Sequence, residues 1–319
     1  MIKPDFVGGI YIKISIIDTH CDALLKLWEN PNRSFLNDLD IDANLQRLKA
    51  GDVQVQFFAI FVEPYIPQDQ KFQVILEQID LFYEAMLKFP DMKHIKKWSD
   101  LAKLNHNQVG AVLTIEGLDG IGNDLTKLRV LYQLGVLSVG ITWNQANLFA
   151  DGVGESRGAG LSELGKQAVY LNNSRNVLTD VSHLHVKGFW DVIEIANYPI
   201  ASHSNAFSLC NHPRNLSNEQ IKALVEKNGY IGIVFHPLFL TGKETATISD
   251  IIAHFDYMCG LGAENHLGFG SDFDGISVYV DNLQHSGQFH NLITELKKHF
   301  SEDIVQGFAG GNFKRLVPR

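Results

Sequence analysis

Short apolar or β-branched runs recur along this chain, and the stretches between them carry a helical pattern. The runs fall at about 14–19, 53–61, 110–115, 137–142, 177–182, 199–202, 230–235 and 267–271. Between them, apolar residues return at three- and four-residue intervals, which predicts amphipathic helices over 41–50, 72–89, 124–134, 162–172, 217–227 and 248–259. Ser217, followed three residues later by Gln220, has the spacing of a capping box. Strands alternating with helices imply a parallel sheet. Eight such units in 319 residues predict an α/β fold, a (β/α)8 TIM barrel; an open, doubly wound sheet is the competing architecture. No Pro-, Gly- or Ser-rich linker, repeat or low-complexity tract divides the chain, so residues 1–319 read as one domain. Segment 277–286 lacks a helical period and reads as a loop over one barrel end. Two helices, 290–299 and 302–316, close the chain.

Composition removes several function classes. The net charge of −9, with no basic stripe, argues against nucleic acid as a partner. Cys21, Cys210 and Cys259 are too few and too scattered for a disulfide framework, which points to a reducing, cytoplasmic setting. Lys3, Asp5 and Lys13 break up the apolar pieces of Met1 to Ser15, so no export signal is expected. No window approaches the roughly 18 apolar residues of a membrane span. A homodimer is the commonest default assembly for a soluble chain.

The chemistry lies at the predicted strand ends, where barrel enzymes carry their catalytic groups. The first strand runs into His20 and Asp22, the third into Glu116, the fifth into His183, the sixth into His203 and the eighth into Asp272. Residues i and i+2 of a strand share a face, so His20 and Asp22 point the same way. Three imidazoles and three carboxylates exceed what one tetrahedral zinc needs. Two ions about 3.5–4 Å apart would use them, with Glu116 as the bridge. One ion would take His20 and Asp22, the other His183 and His203. Asp272 is left beside the reacting water as general acid/base. His236, ending the seventh strand, is a candidate pocket-lining residue. His185 is expected to start a helix, the remaining histidines to be surface or hydrogen-bonded residues, Cys21 to serve packing, and Asp274 before Gly275 to form a turn.

In order along the chain, Asp18-Thr19-His20-Cys21-Asp22, Glu116-Gly117, Ser182-His183, Ser202-His203-Ser204-Asn205-Ala206, Arg214-Asn215, Gly270-Ser271-Asp272-Phe273-Asp274-Gly275 and Gly310-Gly311-Asn312-Phe313-Lys314-Arg315-Leu316 resemble the membrane (renal-type) dipeptidases, a family of amidohydrolase-like metal barrels. The resemblance implies two zinc ions per chain on the residue sets given above. It also implies that Arg214 binds the substrate's terminal carboxylate, a role suited to a planar, permanently charged fork. One departure stands out. Where the animal enzymes carry a histidine that contacts the reacting carbonyl, this chain has Ile141-Thr142-Trp143-Asn144-Gln145, which places Trp143 or Asn144 at the end of the fourth strand. Oxyanion stabilisation then falls to a metal ion or Asn144. The mammalian relatives are secreted and lipid-anchored, and this chain shows neither signal.

The expected activity is therefore zinc-dependent hydrolysis of dipeptides, including those with a D-residue at the C-terminal position. Hydrolysis of another amide or lactone is a second reading, such as an N-acyl amino acid or a cyclic amide. The absence of a strand-end lysine, the bridging group of many wider relatives, favours the glutamate-bridged branch. A ligand-binding barrel without catalysis is a third, and it leaves Asp272 without a purpose.

Overall fold

The computed structural model describes residues 14–318. Most of the N-terminal stretch read above for an export signal, residues 1–13, lies outside them. Eight parallel strands form the barrel: β1 (Ile16–Asp18), β2 (Val53–Phe61), β3 (Val109–Glu116), β4 (Val136–Gly140), β5 (Leu178–Asp180), β6 (Pro199–Ala201), β7 (Tyr230–Ile233) and β8 (Leu267–Phe269). Each pairs with the next, and β8 returns to β1 through the Asp18–Phe269 register, which closes the ring. The open, doubly wound alternative is excluded.

Several strands end earlier than the apolar runs suggest. β4 stops at Gly140, three residues before Trp143, and β8 at Phe269, three before Asp272. The cause is local: the backbone leaves the ladder to turn polar side chains over the rim. His183 and Asp272 have φ of 65° and 66°, in the left-handed region that non-glycine residues rarely adopt. An additional strand, Met92–His94, was not foreseen. It pairs with the first residues of β3, an edge that β4 takes up only from Leu113 onward. Three residues show too little alternation to be read as a strand.

The capping box at Ser217 and Gln220 forms as expected, opening the helix Asn218–Glu226. Ala23–Glu29, directly after Asp22, escaped the periodicity reading. Val186–Ile195 is the helix expected to start at His185, which caps it. The helix expected over 72–89 ends at Leu81 and widens into a π-turn over Phe82–Met86. The segment 302–316 is not one helix; it is interrupted around Gly310, where a Cβ would lie 2.8 Å from Ile17 Cγ1. That close approach lets the last helix, Asn312–Leu316, press against the N-terminal end of the barrel. Phe313 sits there edge-on to Phe57, Trp98 and Tyr230, at ring distances of 5.3, 5.8 and 5.1 Å. With Ile17, Val55, Val112, Leu137, Leu178 and Ile200 these rings form one buried cluster. The larger core lies between strands and helices. With its lower end filled, the barrel is open at the C-terminal rim.

Candidate active site

The rim gathers the six groups singled out from the strand ends. His20 Nε2 lies 3.3 Å from Asp22 Oδ2, 3.8 Å from Glu116 Oε2 and 3.7 Å from Asp272 Oδ1. Glu116 Oε1 lies 2.9 Å from His183 Nε2 and 3.6 Å from His203 Nε2. Glu116 thus turns one oxygen to each half of the cluster. Three groupings have all their ligand atoms within 4.8 Å of one another: His20–Asp22–Glu116, Glu116–His183–His203, and His20–His203–Asp272. Gly117, with φ of 93°, lets the chain turn sharply after Glu116. Gly275 makes room for the carboxylates, since a Cβ there would lie 2.3 Å from Asp22 Oδ2 and 2.5 Å from Asp272 Oδ1.

The cluster is poised for cations. The Nε2 atoms of His183 and His203 face each other at 2.8 Å. Burial pushes both imidazoles well below the ordinary histidine range, with Arg214 and His20 acting in the same direction, so both rings are neutral near pH 7. Each ring's other nitrogen has an acceptor. His183 Nδ1 donates to Asn144 Oδ1 at 2.8 Å. His203 Nδ1 donates to Ser202 Oγ at 2.8 Å, because the Ser202 hydroxyl gives its own proton to Asp180. Both Nε2 atoms are therefore lone pairs aimed at each other and at a carboxylate oxygen, an arrangement that calls for a cation between them. Around His20, burial works against the charged ring, but Glu116, Asp22 and Asp272 overcome it and push the imidazole up to about 10. Asp22 Oδ1, buried, has no hydrogen-bond partner. Burial also raises Glu116, and it raises Asp272 well above the carboxylate range with Asp22 and Glu116 adding to it. The donor set of imidazoles and carboxylates suits zinc.

A second tier fixes these side chains. Asp18 accepts from the Ser271 amide at 2.8 Å and the Ser271 hydroxyl at 2.6 Å, tying β1 to the segment that carries Asp272. Asp180 accepts from the amides of Ser182 and Ser202 at 2.9 and 3.0 Å. Asp18, Asp180 and Ser202 were missed as contributors; their signal was a polar residue placed at the end of an otherwise apolar strand. Asp274 has φ of 70°, as a turn residue should, but it is also buried and accepts from the amides of Asp42 and Ala43 at 2.7 and 3.0 Å. Cys21 is buried in the larger hydrophobic core, consistent with packing.

Arg214 is buried, with Nη2 donating to the His203 carbonyl at 3.1 Å and Nε without a partner. Its guanidinium stands 5.6 Å from the centre of the Phe239 ring, on which His236 also packs at 4.4 Å. His236 Nδ1 accepts from the Leu238 amide at 3.3 Å, so the proton resides on Nε2. Burial, then His212 and Arg214, lower this ring to about 4, which keeps it neutral. Phe239 was not foreseen, and nothing in its sequence context marks it. Above the cluster lies a cavity of about 340 Å³, lined among others by Asp22, Glu116, Trp143, Asn144, His236 and Asp272.

A closed parallel barrel with a histidine–carboxylate cluster at its C-terminal rim defines the class of metal-dependent barrel hydrolases. Within that class, the model of the membrane dipeptidase family (peptidase family M19) matches residues 5–319, and the chain belongs to this family of metallo-dipeptidases. It is 31% identical over 290 residues to the dipeptidase aclJ of Aspergillus oryzae, covering 85% of this chain and 68% of that protein. Among solved structures it resembles a metallopeptidase from Rhodobacter sphaeroides liganded with a phosphinate mimic of the dipeptide L-Ala-D-Ala, with TM-score 0.89 and 26% identity over 95% of this chain and 98% of that one. It likewise resembles the M19 metallopeptidase called dipeptidase AC, with TM-score 0.88 and 27% identity over 95% and 97% of the two chains. Among the described residues, no helix is long and apolar enough to cross a membrane.

Proposed function

We propose that this chain hydrolyses the peptide bond of dipeptides, including those with a D-residue at the C-terminal position, using two zinc ions. His20, Asp22 and Glu116 would hold one ion, and Glu116, His183 and His203 the other. The observation that carries this reading is the pair of inward lone pairs on His183 and His203, 2.8 Å apart and within reach of the Glu116 carboxylate. Divalent cations there would supply Lewis acidity, polarising the scissile carbonyl and lowering a water's pKa toward about 7. The chain's own residues do the rest. Arg214 binds the free carboxylate, with Phe239 stacking beneath its guanidinium. Asp272 accepts the water's proton and returns it to the departing amine. Asn144 keeps the proton of His183 on Nδ1, and its amide N–H groups are free to face the reacting carbonyl. The dipeptide mimic in the Rhodobacter sphaeroides relative supports tolerance of a D-residue. The three unpaired cysteines support a cytoplasmic location.

Metal analysis of the purified protein tests the ligand set, with about two zinc ions per chain expected; one or none counts against a bridging Glu116. Dipeptides with L and D second residues, assayed with and without chelator, test the reaction. Asp272→Asn should lower kcat about 10²- to 10⁴-fold, and intact turnover would remove it from the acid/base role.

A further inference from the structure

A second cavity of about 720 Å³ adjoins the first, and Trp143 lines both. The catalytic cavity, at about 340 Å³, is near the lower bound of small-molecule pockets, roughly 300 Å³. Trp143 packs edge-on at 5.1 Å against Phe61, which lines the catalytic cavity, so a single ring, Trp143, borders both spaces.

The larger chamber has a defined place on the rim. Its walls follow β2 (Val62, Pro64), β3 (Asn123) and β4 (Trp143, Gln145, Leu148). Arg214 follows β6, and His236 follows β7. In a ring of eight strands β6 stands opposite β2 and β7 opposite β3, with the Glu116 cluster between. A dipeptide whose carboxylate rests on Arg214 and whose scissile bond lies over the cluster therefore directs its N-terminal residue toward the β2–β3 side of the rim, where Phe61 and Glu63 line the catalytic cavity and the chamber lies next to it across Trp143.

The lining also sets the chemistry. Lys71 is ion-paired with Asp119, and Arg157 with Asp151, so the charges at the chamber are already matched. The Asn147 amide is used by the Ile141 carbonyl and the Phe149 amide, both at 2.8 Å. Asn123 and Gln145, both exposed, also line the chamber. What remains is uncharged, with Val62, Pro64, Trp143 and Leu148 as its apolar part and the amide side chains of Asn123 and Gln145 at its exposed edge.

We infer that this chamber is the subsite for the side chain of the N-terminal residue, and that it selects large uncharged side chains over acidic or basic ones. The inference rests on the dipeptidase reading and on Arg214 binding the carboxylate. The test measures kcat/KM of the zinc-loaded protein for X–Ala dipeptides with Ala, Leu, Gln, Glu or Lys as X. Leu and Gln should exceed Glu and Lys by about tenfold, as expected when a charge must enter a site whose own charges are paired. Leu148, whose side chain is largely exposed, permits a second measurement without threatening the fold. Leu148→Lys and Leu148→Glu should move the Glu–Ala to Lys–Ala ratio in opposite directions, about tenfold apart. Equal turnover of charged and uncharged X, or one ratio in both variants, overturns the subsite while cleavage of Ala–Ala leaves the dipeptidase reading standing. Failure to cleave any of the five overturns both.

Discussion

Ser202→Ala probes the lone-pair argument directly. In the native site the Ser202 hydroxyl accepts the His203 Nδ1 proton at 2.8 Å and passes its own proton to Asp180. Without that hydroxyl, a proton on Nδ1 has no acceptor in a buried setting, at a cost of about 1–3 kcal/mol. The imidazole escapes the cost by moving the proton to Nε2, which removes its lone pair from the cluster. Binding a cation then requires the proton to return to the unfavourable nitrogen. Since 1.4 kcal/mol is tenfold, zinc affinity at the His183–His203 position should fall about 10- to 100-fold. Competition against a chelator of known affinity would read this as one tight and one weakened ion per chain. Activity should fall at limiting zinc and recover with excess. Asp180 keeps its two amide donors, so the melting temperature should change little. Two ions bound as tightly as in the wild type, with fold intact, would refute the reasoning.

Further consequences can be checked separately. Gly275→Ala would drive a methyl group into Asp22 Oδ2 and Asp272 Oδ1, so kcat should drop at least tenfold while thermal stability barely moves; steady-state kinetics beside a melting curve decides this. Phe313→Ala would remove the ring that meets Phe57, Trp98 and Tyr230, costing about 3–5 kcal/mol in denaturant unfolding. His94 is lowered to about 4 by burial, with Lys96 adding to it, against 6.5 when unfolded. The unfolded chain therefore binds the extra proton between those values, and stability falls as pH drops from about 6.5 to about 4. Neither ring nitrogen of His94 has a hydrogen-bond partner, so His94→Leu should fold normally and show a smaller loss of melting temperature across that window.

The barrel was legible because each of its eight strands is an apolar run of a few residues, and buried parallel strands need such runs. The six rim residues were legible as a set, because histidines and carboxylates recur at the ends of five strands; any one of them alone has an ordinary structural reading, as the strand-end carboxylates Asp18 and Asp180 show. Three kinds of feature were not legible. Met92–His94 and Ala23–Glu29 are too short to display a period. The break at Gly310 depends on contact with Ile17, almost three hundred residues earlier, which no local pattern carries. Asp18, Asp180 and Ser202 act through hydrogen bonds to other strands, so their roles exist only once the ring is closed.

The junction between β8 and β1 joins segments about 250 residues apart, and it also carries three of the rim groups. The Asp272 amide donates to the His20 carbonyl at 3.2 Å, and the Asp22 amide to the Phe273 carbonyl at 2.9 Å. Among the strand pairings of the barrel, this one closes the longest loop and carries the largest loop-closure entropy. Partial opening there would separate His20 and Asp22 from Asp272 while the helices stayed wound. Enzymatic turnover should accordingly vanish at a lower denaturant concentration than the far-ultraviolet signal, making catalysis a more sensitive gauge of ring closure than helicity.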